Sequence, residues 1–144
     1  MARSAAAQTS RTAESAKLHV QGVSLSFGGP DERRIEVIRD IDLAIGAGEF
    51  CTIVGPSGCG KSTLLSIIAG LIKPDRGACT LDGAPITLGD PRIGYMFQAD
   101  TLLPWATALE NVRFPLDAVG RRDDGRCREL LKRVGVGDFT DCYP

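Results

Sequence analysis

Apolar and polar residues alternate over residues 18–27 well enough to predict a strand. Gly28, Gly29, Pro30 and Asp31 punctuate its end. Two shorter apolar runs follow at residues 35–38 and 41–45, the second closed by Gly46 and Gly48, so the chain is expected to open as an antiparallel sheet. Residues 50–54 form an apolar run read as a further strand, and residues 63–69 read as a helix stopped by Gly70 and Pro74. A short strand ending in an Asp82-Gly83 turn is predicted over residues 77–83, and another over residues 92–97, ending at Gln98. Thr107-Ala108-Leu109-Glu110 is a helix-start signal within residues 101–114. Cys127, Leu130, Leu131 and Val134 recur at helical spacing among Arg, Glu and Lys, predicting an amphipathic helix over residues 123–134.

Between the strand at residues 50–54 and the helix after it stands Gly55-Pro56-Ser57-Gly58-Cys59-Gly60-Lys61-Ser62, which satisfies the pattern G-x-x-x-x-G-K-[ST]. A strand feeding a glycine loop that opens a helix gathers unpaired N–H groups and the positive end of a helix dipole in one place. That place suits the phosphates of a nucleoside triphosphate. Gly55 and Gly60 permit close backbone approach, Lys61 supplies a mobile charge for the β and γ phosphates, and the Ser62 hydroxyl suits Mg²⁺. Pro56, Ser57, Gly58, Cys59 and Thr63 complete the candidate nucleotide-binding segment. Cys59 is also weighed as an oxidation-sensitive position, because a helix N-terminus favours thiolate, against a plain role as a small residue in the loop.

Composition narrows the classes. With 43% hydrophobic and 24% charged residues in 144, the chain suffices for one domain with a core and not for a second complete one. A formal net charge of -1 gives no basic field for nucleic acid or an anionic membrane. The longest near-apolar stretch, residues 64–72, falls far short of the roughly 20 residues of a membrane span. Residues 1–16 lack an apolar signal core and read as a disordered leader, with a transit peptide as the alternative. Five cysteines without a C-x-x-C pair and a single histidine, His19, argue against zinc, and the odd count suits a reducing compartment.

Taken with the preceding sheet, the segment Gly70-Leu71-Ile72-Lys73-Pro74-Asp75-Arg76-Gly77 and the spacing to Gln98, the chain from Leu18 to Pro144 resembles the first half of an ABC transporter ATP-binding subunit. The run from Tyr95 to Trp105 is similar to the nitrate, sulfonate and taurine importer branch. The resemblance implies an α/β fold of the phosphate-loop NTPase class: an antiparallel β-subdomain, a partial parallel-sheet core and the start of a helical subdomain, spread over residues 17–144. It further implies that Phe27 stacks on adenine and that Ser62 and Gln98 serve Mg²⁺, with Gln98 also positioning the attacking water. Leu102, Leu103, Pro104 and Trp105 would lie near the groove for a membrane-spanning permease subunit, with packing inside the helical subdomain as the alternative. ATP and Mg²⁺ are then the expected cofactors, a second ATP-binding subunit the expected partner, and the inner face of the cell membrane the expected location.

The family's signature segment, its acidic strand and its switch histidine have no counterpart here: the one Gly-Gly pair is Gly28-Gly29 and the one histidine is His19. Residues 114–117 are the nearest candidate for the acidic strand, and Pro115 argues against it. These absences imply a truncated domain that binds Mg-ATP weakly and hydrolyses it negligibly. Two other readings stay open: a non-enzymatic nucleotide-binding chain that pairs with a complete subunit, and a phosphate-loop kinase of small molecules. Arg121, Arg122 and Arg126 invite comparison with a kinase lid, although a solvated helix start is the simpler reading.

Overall fold

The computed structural model describes residues 16–28 and 34–144, so residues 1–15 of the expected leader and the turn residues Gly29, Pro30 and Asp31 lie outside it. The chain forms two compact units that divide between Gly94 and Tyr95.

The first unit is built on a long hairpin. β1 (Ala16–Phe27) pairs antiparallel with β2 (Ile35–Gly46), and on its other side with β3 (Arg76–Leu81), which in turn pairs with the short β4 (Ala84–Pro85). The sheet order is β2-β1-β3-β4. Ala16, assigned to the leader on composition, already pairs with Gly46. The two runs at 35–38 and 41–45 are one strand that continues through Asp40, whose φ of 46° lies in the left-handed region. Asp40 N–H donates to Ser24 Oγ at 2.9 Å, which offsets part of the strain of that conformation.

A bulge explains why β1 alternates imperfectly. Register shifts flank residues 20–23, where Gly22 takes φ 57° and donates its N–H to Asp42 Oδ1 at 2.8 Å. The extra residue moves the inward side from Val20 to Val23 and Leu25 without losing burial. Those three side chains join Ile38 of β2 and Leu64 and Ile67 of α1 (Lys61–Ile68) in one core. Each such side chain stabilises by about 1.5–3 kcal/mol when fully buried, so this cluster fixes α1 against the sheet.

The second unit is helical. α2 (Ala108–Ala118) and α3 (Asp124–Arg133) pack through Leu109, Cys127 and Leu131, followed by a single 3-10 turn at Gly137–Phe139. Arg113 ties the two helices, with Nε 2.9 Å from Asp117 and Nη1 3.4 Å from Asp124. Pro115, which spoke against a strand at residues 114–117, sits inside α2.

Two expected strands run unpaired. Residues 50–54 and 92–97 join no ladder, so the sheet of the described residues is wholly antiparallel and the parallel core is represented only by these unpaired segments. The physical reason is pairing: a parallel strand needs neighbours alongside, and no described segment of the chain forms a ladder with either run. Phe50, Val54 and Met96 are consequently 93%, 83% and 94% exposed, while Ile53 still packs against the core.

Candidate functional site

The glycine loop lies between the unpaired residues 50–54 and α1. Gly60 is the N-cap of α1 with φ 94°, a conformation that glycine adopts without penalty, and a Cβ there would stand 2.8 Å from Ile38 Cδ1 and 3.0 Å from the Val37 carbonyl oxygen. The loop is thus pressed against β2 at a point where only glycine fits. Gly58 is likewise left-handed at φ 79°, with open space where its Cβ would be.

Hydrogen bonding at this helix start is incomplete. Leu64 N–H donates to the Gly60 carbonyl at 2.8 Å and Cys59 N–H reaches the Pro56 carbonyl at 3.4 Å. The N–H groups of Gly58, Gly60, Lys61, Ser62 and Thr63 have no acceptor among the described residues, no side chain caps the helix, and no acid occupies its first turn. Orphan donors, a positive helix end and exposure of residues 55–59 together suit an anion carrying several oxygens.

Lys61 turns back over the loop. Its Nζ donates to the carbonyls of Gly55 at 2.9 Å and Pro56 at 2.6 Å and lies 3.5 Å from Cys59 Sγ. The ammonium is held over the loop by neutral acceptors, and a phosphate oxygen can outcompete them because it adds the attraction of a full negative charge. Ser62 is exposed, and its Oγ has no partner among the described residues. Ser62 Oγ is therefore free to bind a hard cation, and the oxygen donor suits Mg²⁺.

Phe27 ends β1 half exposed, at 48%, and pairs across the hairpin with Ile35. Ile35 lies on the same strand as Val37 and Ile38, the residues that meet Gly60, so the hairpin places an aromatic at the end of the element that braces the loop.

A model of the family described as ABC transporter matches residues 38–144. The chain belongs to that ABC transporter family. Among relatives, it is 39% identical over 128 residues to the taurine import ATP-binding protein TauB of Pseudomonas aeruginosa, covering 87% of this chain and 48% of that protein. It is 40% identical over 127 residues to the aliphatic sulfonates import ATP-binding protein SsuB 1 of Xanthomonas axonopodis pv. citri, covering 85% and 50%. A solved structure, the dimeric post-hydrolysis state of the ATP-binding cassette MJ0796 bound to ADP and Pi, superposes with a TM-score of 0.76 at 34% identity, covering 88% of this chain and 61% of that one. The chain spans about half the length of the curated relatives it matches. The ABC fold expected from the resemblance is therefore present in its first part.

The remaining expected site residues fall in the second unit. Gln98 lies in an exposed bend. Leu102 and Trp105 are 60% and 73% exposed, Pro104 is exposed and Leu103 half-buried, so the apolar knot is not packed away among the described residues. What shapes it went unseen in the sequence: Asn111 of α2 accepts from Leu103 N–H at 2.7 Å and donates through Nδ2 to the carbonyls of Leu103, Ala106 and Thr107. Beside it opens an apolar cavity of about 470 Å³ lined by Leu102, Val112, Leu131, Val136, Phe139 and Tyr143. Arg122 pairs with Asp124 at 3.4 Å and Arg126 N–H donates to Asp123 Oδ1, the arrangement of a solvated helix start. No helix of the described residues is long and apolar enough to cross a membrane.

Proposed function

We propose that this chain binds the triphosphate of ATP with Mg²⁺ at Gly55, Pro56, Ser57, Gly58, Cys59, Gly60, Lys61, Ser62 and Thr63, as part of an ATP-binding subunit of an ABC importer for sulfonate- or taurine-like solutes. The observation that carries the reading is the open N-terminus of α1, whose first N–H groups lack acceptors among the described residues while Lys61 turns back to the loop carbonyls of Gly55 and Pro56. In this reading the N–H groups of Gly58, Gly60, Lys61, Ser62 and Thr63 hold phosphate oxygens, Lys61 exchanges its loop carbonyls for them, and Ser62 Oγ takes a place on Mg²⁺. Phe27 offers its ring face to the adenine. Gln98 orients water and Mg²⁺ once the rest of a cassette is present. The match to importer subunits supports a membrane-spanning partner docking at Leu102, Leu103, Pro104 and Trp105, a second ATP-binding subunit, and a place at the inner face of the cell membrane.

For the 144-residue chain alone we propose weak Mg-ATP binding and negligible turnover, because the acidic group that would activate water in this family is not among its residues. Equilibrium titration with Mg-ATP and with Mg-tripolyphosphate tests this. Saturable binding of both, with ATP the tighter, is expected; binding of neither removes the nucleotide site.

A further inference from the structure

We infer that Asp75 is a positioning residue for the adenine-facing Phe27, acting through the backbone at the end of β1; the inference rests on the stacking role proposed above. β3 begins at Arg76, which pairs with Ser24, so β1 beyond Ser24 has no strand alongside it on that edge. Asp75 supplies the missing ladder. Its own N–H donates to the Ser24 carbonyl at 2.9 Å, and its carboxylate accepts the Ser26 N–H at 2.8 Å, one residue before Phe27. The same Oδ2 accepts from Arg34 Nη2 at 3.0 Å, so one oxygen ties the last turn of β1 to the residue that precedes β2.

The consequence is for the ring rather than for the core. Phe27 is the terminal residue of its strand, half exposed, and paired across the hairpin with Ile35. Strand ends fray at little cost, and a frayed end cannot present an aromatic face in one orientation. Fixing the Ser26 N–H removes that freedom. The Asp75 and Arg34 side chains are 38% and 59% exposed, so the ion pair adds little in itself, and the carboxylate bond to the backbone carries the effect.

The test uses the 144-residue chain with two probes, Mg-ATP and Mg-tripolyphosphate, and three variants. Asp75→Ala is expected to weaken ATP binding roughly three- to tenfold while tripolyphosphate affinity stays within about twofold. Asp75→Asn keeps an oxygen for the Ser26 N–H and is expected to recover most of the loss. Phe27→Ala is expected to lose about tenfold on ATP alone, the scale of base–aromatic stacking. Unchanged ATP affinity in Phe27→Ala overturns the stacking role and the clamp with it. A selective loss in Phe27→Ala without one in Asp75→Ala overturns the clamp alone, as do equal losses for both probes in Asp75→Ala or a failure of Asp75→Asn to recover.

Discussion

Two helix N-termini in this chain are built on opposite plans. At α2 every early N–H is answered from within: Ala108 donates to the Cys142 carbonyl at 2.9 Å, Leu109 to the Thr140 carbonyl at 2.9 Å, and Glu110 to Thr107 Oγ1 at 3.3 Å, while Glu110 returns the favour by accepting the Thr107 N–H at 2.8 Å. At α1 the cap is a glycine without a side chain, the first turn holds no acid, and the corresponding donors of Lys61, Ser62 and Thr63 find nothing among the described residues. Leaving such groups unpaired costs stability, and α1 tolerates it because the loop is exposed and Leu64 and Ile67 are buried behind it. A side-chain cap is worth about 1 kcal/mol, and α1 goes without one.

The contrast can be broken by placing an acid next to the N-terminus of α1, one residue before its Gly60 cap. Cys59→Asp places a carboxylate beside Lys61 Nζ and under the open N–H groups, so Mg-ATP affinity should fall about a hundredfold while the thermal midpoint holds or rises, consistent with an anion near a helix N-terminus. Unaltered ATP affinity would mean that the loop does not receive phosphate. Removing the charge instead, by Lys61→Ala, should cost roughly ten- to a hundredfold in affinity for both ATP and tripolyphosphate, measured by the same titration. Thr107→Ala at the other terminus should leave nucleotide affinity unchanged and lower folding stability by about 1 kcal/mol in a urea titration.

The smallest expected effect is set by pH. The Thr107 backbone N–H and then its hydroxyl hold the Glu110 carboxyl below its ordinary range, so this cap is intact above the usual carboxylate pKa and is lost as pH falls through the depressed one. α1 has no acid to lose. Amide exchange at Thr107, corrected for its intrinsic rate, should quicken as pH falls below the ordinary carboxylate range, while that of Leu64 in α1 should not. In the first unit the paired Arg92 guanidinium holds Asp90 at about 2, so the stabilisation from that pair is complete above pH about 4 and declines toward pH 2. Equal pH dependence at Thr107 and Leu64 would erase the distinction between the two termini.

The glycine loop was legible in the sequence because its requirement is backbone conformation: Gly60, read as a position of unusual backbone angles, is left-handed, whereas Gly55, read the same way, is not, and the second left-handed position is Gly58. The helix start at Thr107 was legible for the same local reason, both capping partners lying within one turn. Strand assignment succeeded where pairing is supplied by the hairpin and failed at residues 50–54 and 92–97, since an apolar run says nothing about whether a neighbour is there to pair with it. Asp75 was unreadable as a clamp: its partner Ser26 is 49 residues away, and a Pro-Asp dipeptide after a helix reads simply as a turn. Asn111 was equally silent, because an asparagine eight residues past Leu103 carries no periodic signal for the three carbonyls and one N–H that it gathers.

The Asn111 clasp has an optical consequence. It shapes a loop whose exposed tip is Trp105, the chain's single tryptophan, so every photon of indole emission comes from the surface proposed to meet the permease. Free in solution that indole should emit as a wet fluorophore and be open to acrylamide quenching; covered by an apolar partner it should shift to the blue and become shielded. The molecule thus carries its own reporter of docking, at a position where no label has to be added.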